Sequence, residues 1–235
     1  MIKAVFFDLD GSLLPMNEEE FTKTYFGLLC RKAAPYGYDK DKLVQTIWAG
    51  TKAMKNNDGS KTNEEAFWEV FASVYGVDEA EKMEKVFGEF YRNEFKQTKA
   101  VCFENPYARE IVDFCKQKGV KIAITTSPFF PKDGVVSRLG FLGLSESDFD
   151  LITSYENSSF CKPNPNYYFE ICKKIGVNPH NAIMIGNDER EDMKAATEAG
   201  LMCYLVTDCR IMAKDFYWTG QRGTFEQSLR ILKII

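Results

Sequence analysis

The sequence predicts an α/β protein with a parallel sheet that is covered on both faces and interrupted after its first strand by a helical insert. Short apolar segments alternate with helical segments through the C-terminal part of the chain, which is typical of a parallel sheet. Between the first apolar segment and this part, the chain shows helical spacing and no convincing strand. A length of 235 residues fits one large domain, or a core domain that carries a smaller insert.

The first strand is predicted over residues 2–7. Its sequence, IKAVFF, is short and apolar and is followed by an acid, which indicates a buried strand that delivers Asp8 at its C-terminal end. About four helices are predicted between residues 17 and 97, and the one that starts at Thr62 has a capping box with Glu65. The expected starts of these helices are Asn17, Asp39, Thr62 and Asp78.

The remaining elements alternate from residue 105 onward. Asn105-Pro106 and Asn164-Pro165 place a proline in the first turn of a helix, and Thr224 opens the last helix. The expected strands are 120–125, a short one near 149–153, 181–186 and 202–206, with a helix over 188–199. Residues 208–223 show no clear pattern of either kind.

The composition excludes several classes of protein. A formal net charge of −4 does not suit a nucleic-acid binder, which needs a basic face. The single histidine, His180, is expected in a surface loop and rules out a histidine-rich zinc site, so a metal enzyme would use carboxylates and a hard cation such as Mg²⁺. Seven cysteines without a C-x-x-C pair indicate reduced thiols in a cytoplasmic protein. No segment has the length of a signal peptide or membrane span, so no membrane association is expected.

Candidate catalytic residues come directly after three of the predicted strands. Ligands of open parallel sheets bind beyond the carboxyl ends of the strands, so these residues are expected to converge. Lys162 lies on a loop between them and adds a positive charge. The others are Asp8 and Asp10 after the first strand, Thr126 and Ser127 after the second, and Asp188 and Asp192 after the strand at 181–186.

Asp8 and Asp10 are the most informative pair. On a strand, positions i and i+2 lie on the same face, so the two carboxylates would be close and would repel each other. A divalent cation can neutralise one carboxylate, and proton uptake can neutralise the other, which removes the repulsion between them. That asymmetry suits one ionised nucleophile and one proton donor.

The other candidates have simpler explanations when each is taken alone. Thr126 could cap a helix or a turn, and Lys162 could be a solvated loop residue. Asp188 could cap the helix that follows it. Asp188 and Asp192 stand at i and i+4, where two like charges repel each other unless a cation lies nearby.

Four short motifs occur in order along the chain. They are Asp8-Leu-Asp10-Gly-Ser12, Thr126 at the end of VKIAIT, Lys162 before Pro163, and Asp188-Glu-Arg-Glu-Asp192 after IMIGN. In this order they resemble the four motifs of the haloacid dehalogenase-like (HAD) hydrolase superfamily over residues 2–206. The departures from the usual motifs are Ser12 in place of Thr, Ser127 in place of Asn, and Asn187 between the glycine and the aspartate.

The resemblance implies a role for each motif residue. Asp8 would attack phosphorus and form an aspartyl-phosphate, and Asp10 would protonate the leaving group and then deprotonate water. The residues that would hold the phosphoryl oxygens are Thr126, Ser127 and Lys162. The Mg²⁺ ligands would be Asp8, the Asp10 carbonyl and Asp188, with Asp192 contacting the ion directly or through another ligand.

The resemblance also implies a Rossmann-like, three-layer core with a helical cap of the C1 type. The core would be residues 1–15 and 99–235, and the cap would be residues 16–98, where substrate specificity should reside. We expect the aromatic residues of the third predicted helix to be helix core and not a substrate cage. They are Phe67, Trp68 and Phe71.

The function that follows is a Mg²⁺-dependent phosphatase acting on a small phosphorylated metabolite. A phosphomutase of the β-phosphoglucomutase type uses the same core residues and is the main alternative. A dehalogenase would lack Asp10, and a phosphonate hydrolase would need a reactive cap lysine. A regulatory phosphate-binding module needs no lid of this size over its site, whereas an enzyme that excludes water does. The sequence leaves the substrate and the oligomeric state open.

Overall fold

A six-stranded parallel sheet forms the centre of the molecule, which a computed structural model describes over residues 1–234. The strand order is β3-β2-β1-β4-β5-β6. The chain therefore builds outward in one direction from β1, returns, and builds outward in the other direction from β4. The strands are β1 (Ala4–Phe7), β2 (Lys121–Ile124), β3 (Leu151–Ile152), β4 (Ala182–Gly186), β5 (Met202–Val206) and β6 (Arg222–Gly223).

A helical insert separates β1 from β2, as the sequence predicts. Its helices are α1 (Glu18–Ala33), α2 (Lys40–Lys55), α3 (Asn63–Tyr75) and α4 (Val77–Arg92), followed by a 3₁₀ segment over Glu94–Val101. The side chains of Asn17 and Asp39 accept hydrogen bonds from backbone N–H groups of α1 and α2. Thr62 and Glu65 form the predicted capping box of α3. No helix of the described chain is both long and apolar enough to cross a membrane.

Helices cover both faces of the sheet. One layer contains α5 (Ala108–Gln117), α6 (Lys132–Phe141) and α9 (Phe225–Ile234), and the other contains α7 (Asn166–Ile175) and α8 (Ala195–Glu198). Alternate residues of β1 enter the two layers: Val5 and Phe7 join the first core, whereas Ala4 and Phe6 join the second. Burial on both faces explains why the strands are continuous apolar runs. The predicted Rossmann-like, three-layer α/β fold with a helical insert is confirmed.

Two local predictions differ from the structure. The helix expected at Asn105-Pro106 begins at Ala108, because the Asn105 side chain accepts from the Tyr107 N–H and donates to the Leu13 carbonyl. The helix expected over residues 188–199 is present, but it is not α-helical throughout. A π-helical turn covers Glu189–Lys194, and only Ala195–Glu198 is α-helical.

Candidate active site

The predicted site residues meet at the edge of the sheet where the strand order reverses. β1 and β4 are neighbours there, so Asp8 follows one strand and Asp188 follows the other. A crevice at such a switch point is the usual ligand site of an open α/β sheet. All seven candidates line a single cavity: Asp8, Asp10, Thr126, Ser127, Lys162, Asp188 and Asp192.

Lys162 is the positive centre of the site. Its Nζ donates to Asp8 Oδ1 at 2.8 Å and to Asp192 Oδ1 at 2.6 Å, and all three side chains are buried. Burial opposes the charge on the lysine, but the two carboxylates outweigh that effect and raise its pKa well above the usual range. Lys162 therefore remains an ammonium beside the predicted nucleophile.

Asp192 contacts both Lys162 and the backbone of Asp188. Its Oδ2 accepts from the Asp188 N–H at 3.0 Å while its Oδ1 holds Lys162, so both oxygens are engaged. The carboxylate packs so closely on Gly186 that a Cβ there would lie 2.3 Å from Oδ2. Burial raises the pKa of Asp192, and the Lys162 ammonium opposes that rise. Asp192 thus fixes the lysine and the turn that carries Asp188.

Asp188 caps the π-helical turn. Its Oδ1 accepts from the N–H groups of Arg190 at 2.7 Å and Glu191 at 2.8 Å. Among the described residues, no hydrogen bond reaches its Oδ2, and the same is true of Asp8 Oδ2. Each of these carboxylates therefore offers one oxygen to a ligand.

Arg138 is the residue that sequence reasoning missed. It is fully buried on α6, and its guanidinium forms an ion pair with Asp10 Oδ2. The guanidinium also lies 4.4 Å from the ring centroid of Phe130, and Nε donates to the Gly134 carbonyl. Thr126 Oγ1 approaches the same Asp10 oxygen at 3.4 Å.

The Asp10 pair is incompletely satisfied. Within residues 1–234, Asp10 Oδ1 and Arg138 Nη2 are buried without a hydrogen-bond partner. Burial raises the pKa of Asp10, and the charge of Arg138 opposes that rise. Asp10 is thus positioned in the site with Oδ2 paired and Oδ1 buried without a partner.

Ser127 is engaged differently from the prediction. Its hydroxyl donates to Glu191 Oε2 at 2.9 Å, and Lys55 of α2 lies 3.8 Å from Glu191 Oε1. This chain of contacts links the helical insert to the fourth motif. The predicted phosphate contact of Ser127 stays a prediction, because its hydroxyl would have to exchange Glu191 for a phosphoryl oxygen.

The departures in the first and fourth motifs fit each other. Ser12 Oγ donates to Asn187 Oδ1 at 3.0 Å, and Asn187 Nδ2 donates to the Cys209 carbonyl at 2.6 Å. Gly11 has a φ of +84°, and a Cβ there would lie 2.4 Å from Asn187 Nδ2. Asn187 therefore ties the loop that carries Asp10 to the end of β4.

Glu189 organises the segment 208–223, which the sequence leaves uninterpreted. Its buried carboxylate pairs with Arg210 at 2.5 Å and accepts from the N–H groups of Ala213 and Trp218. Burial would raise its pKa, but these hydrogen bonds lower it overall. The segment is thereby held beside the fourth motif.

The acids outnumber the bases around the site. Glu18, on the first turn of α1, shows the effect: partial desolvation at the rim of the cavity, followed by repulsion from Asp10, Asp8 and Asp188, raises its pKa to about 7. No group of three His, Cys, Asp or Glu side chains in residues 1–234 is arranged as a metal site. The expected ligands, which are the carboxylates of Asp8 and Asp188 and the backbone carbonyl of Asp10, are nevertheless hard oxygen donors. A divalent cation would also neutralise the excess of negative charge around them. The donor chemistry fits Mg²⁺.

The cavity extends from these residues into the helical insert. Its volume is about 900 Å³. Phe71 is fully buried, as expected of helix core, but Phe67 and Trp68 also form part of the cavity wall. The aromatic residues of α3 therefore contribute both to the core and to the wall of the cavity.

Comparison with known proteins identifies the family. The sequence profile of the haloacid dehalogenase-like hydrolase family matches residues 2–200. The chain therefore belongs to this family and is an enzyme of that class. It is 27% identical to a phosphorylated carbohydrates phosphatase of Thermotoga maritima, over 85% of this chain and 82% of the relative. It is also 27% identical to a glyceraldehyde 3-phosphate phosphatase of Methanothermobacter thermautotrophicus, over 88% and 86%.

Solved structures support the fold. A 2-haloacid dehalogenase from Pseudomonas syringae pv. Tomato superposes with a TM-score of 0.65 at 18% identity, covering 100% of this chain and 99% of that one. A HAD phosphatase from Thermococcus onnurineus superposes with a TM-score of 0.60 at 19% identity, covering 98% of each chain. These structures share the overall fold over nearly the whole length of the chain.

Proposed function

We propose that the protein is a Mg²⁺-dependent phosphatase that hydrolyses a phosphomonoester through an aspartyl-phosphate on Asp8. The observation that supports this most directly is the buried Lys162 ammonium, 2.8 Å from Asp8 Oδ1 in the cavity that also contains Asp10 and Asp188. A carboxylate nucleophile beside a fixed cation is suited to attack on an anionic phosphoryl group. The phosphatases among its relatives are consistent with this reaction.

In the first half of the reaction, an Asp8 oxygen would bond to phosphorus while the bond from phosphorus to the alcohol oxygen breaks. Lys162 and the Thr126 hydroxyl would hold phosphoryl oxygens as charge builds on them. The leaving oxygen would take its proton from Asp10. Mg²⁺, held by Asp8, Asp188 and the Asp10 carbonyl, would reduce the repulsion between the Asp8 carboxylate and the phosphate of the substrate.

In the second half, Asp10 would accept a proton from water as that water attacks phosphorus. The bond between phosphorus and Asp8 would break, releasing inorganic phosphate and restoring the carboxylate. The hydrogen bond from Arg138 would hold the Asp10 side chain in reach of both oxygens, and burial, which raises the pKa of Asp10, would favour the protonated form that the first half requires. Asp192 would act by fixing Lys162 and the Asp188 turn, since both of its oxygens are engaged.

We also propose that residues 16–98 are a cap domain over a catalytic core formed by residues 1–15 and 99–235. The cavity wall combines residues of both parts, so the insert can exclude water from the intermediate. A cytoplasmic location is proposed on the seven free cysteines, which suit a reducing compartment.

The test is phosphate release from 4-nitrophenyl phosphate by the intact protein, with Mg²⁺ and with EDTA. The variants are Asp8→Asn and, as a matched control, Asp113→Asn, which changes a solvent-exposed aspartate outside the cavity. We expect Mg²⁺-dependent release by the wild type and the control, and none by Asp8→Asn. Substantial release by folded Asp8→Asn would overturn the proposed mechanism.

A further inference from the structure

The cavity is built for more than a phosphoryl group. We propose that the substrate's alcohol carries a bulky apolar body without a second anionic group, and that the helical insert holds this body. The inference rests on the proposed phosphatase function and specifies its substrate class. Three features of the cavity support it: its size, its aromatic wall and its charge.

The size fits a large organic body. Cavities that hold drug-sized ligands span roughly 300–1,000 Å³, and this one measures about 900 Å³. The candidate catalytic residues form part of its wall, and all four helices of the insert contribute to the wall as well. A phosphorylated two- or three-carbon compound would fill only the part near Asp8 and would leave the remainder to water.

The wall of the cavity is aromatic. Eleven Phe, Tyr and Trp residues line it, contributed by the insert and by the core segments after β2 and β3. Phe26 and Trp48 lie with ring centroids 5.5 Å apart, and Trp48 is 52% exposed, so much of its surface is accessible to a ligand.

The charge of the cavity disfavours a second anion. Ten acidic residues line it against four basic ones. Three of the four bases are already within 4 Å of a carboxylate: Lys162 at Asp8, Arg92 at Asp133 and Lys55 at Glu191. A carboxylate on the body would enter a negative field and find no unpaired buried cation in the described lining.

Three phosphates of primary alcohols test the inference, because their leaving oxygens are chemically alike and only the bodies differ. They are 3-phenylpropyl, n-propyl and 3-carboxypropyl phosphate. We expect kcat/KM for the phenylpropyl ester to exceed that for the propyl ester about tenfold or more, from burial of the ring. The carboxypropyl ester should fall below the propyl ester. Equal kcat/KM values for all three, or a preference for the carboxylate, would overturn the substrate class while leaving the phosphatase proposal intact.

A pair of variants locates the body. Trp48→Ala should remove most of the preference for the phenylpropyl ester, and Trp48→Phe should restore much of it. Tyr36→Ala is the matched control, since Tyr36 is an exposed aromatic of the insert outside the cavity. An unchanged preference in folded Trp48→Ala would overturn the assignment of the insert as the body's binding site. Failure to hydrolyse any of the three esters or 4-nitrophenyl phosphate would instead overturn the phosphatase proposal, and the inference with it.

Discussion

Arg138 and Asp10 form an ion pair, so substitutions at these two residues should have strongly coupled effects on the free energy of unfolding. Arg138 is completely buried, whereas the Asp10 side chain is 23% exposed. Arg138→Met retains the length of the side chain and removes its charge, leaving Asp10 without its counter-ion. Breaking a buried ion pair by removing one partner costs about 3–5 kcal/mol in the free energy of unfolding. Partial solvation of Asp10 places the expected loss near the lower end of that range.

A double-mutant cycle separates this pairing from the loss of packing on Phe130. The variants are Arg138→Met, Asp10→Asn and the double substitution, each unfolded in urea at pH 7 without metal. The double variant should lose about 2 kcal/mol less than the sum of the single losses, since neither charge is then left alone. The exposed pair of Arg92 and Asp133 is the control, and Arg92→Met should cost less than about 1 kcal/mol.

Additive losses would refute the reasoning. A coupling energy smaller than about 0.5 kcal/mol is the value expected of independent sites. It would mean that the buried guanidinium is stabilised by Phe130 and the Gly134 carbonyl alone. Arg138 would then have no role in holding Asp10 within the site.

Two further predictions concern other parts of the core. Gly186→Ala places a Cβ 2.3 Å from Asp192 Oδ2, so kcat/KM should fall at least tenfold and the free energy of unfolding by about 1–3 kcal/mol. Gly140→Ala is the control, because its Cβ would enter open space and should lower neither quantity. A stable Gly186→Ala of normal activity would contradict the close packing. Hydrogen bonds from Arg109, followed by those from Lys116 and Ser145, lower the pKa of Asp148 despite its burial. Asp148 therefore stabilises the fold above its ordinary pKa of about 3.9 and loses this effect as the pH falls through its lowered folded value. Asp148→Asn should cost about 2 kcal/mol in urea unfolding at pH 7 and progressively less below pH 4, and a cost independent of pH would contradict it.

The clustering of candidate site residues could be predicted because several of them closely follow apolar strands. The end of a continuous apolar run indicates where a buried parallel strand ends, and the carboxyl ends of such strands meet at one edge of the sheet. Asp8, Thr126 and Asp188 could therefore be grouped without knowledge of the fold. Lys162 lies on a loop, and only the order of the four motifs connected it to the others.

The remaining features depend on contacts that the sequence does not encode locally. Arg138 lies between Val135 and Leu139, which are both buried, and nothing in that spacing shows that an arginine is buried with them. The partner that makes its burial possible, Asp10, is 128 residues away. Trp68 illustrates the same limit, because a helical aromatic that faces a core and one that faces a cavity have the same periodicity.

The segment 208–223 was uninterpretable for a related reason. Its order comes from the buried carboxylate of Glu189, which accepts hydrogen bonds from Ala213 and Trp218 and pairs with Arg210. In the sequence, Glu189 is one of four acids around the fourth motif and has no mark that distinguishes it. Polar contacts with the fourth motif, and not a periodic apolar pattern, therefore hold the segment in place.

Direct detection of a phosphorylated Asp8 tests the central proposal. The protein would be mixed with 4-nitrophenyl phosphate and Mg²⁺, quenched during turnover, and treated with borohydride, which reduces an aspartyl-phosphate to homoserine. Peptide mass spectrometry should then find homoserine at position 8 in the wild type, and at no position when substrate is omitted. Sustained phosphate release with aspartate unchanged at position 8, or with homoserine at another position, would contradict nucleophilic catalysis by Asp8.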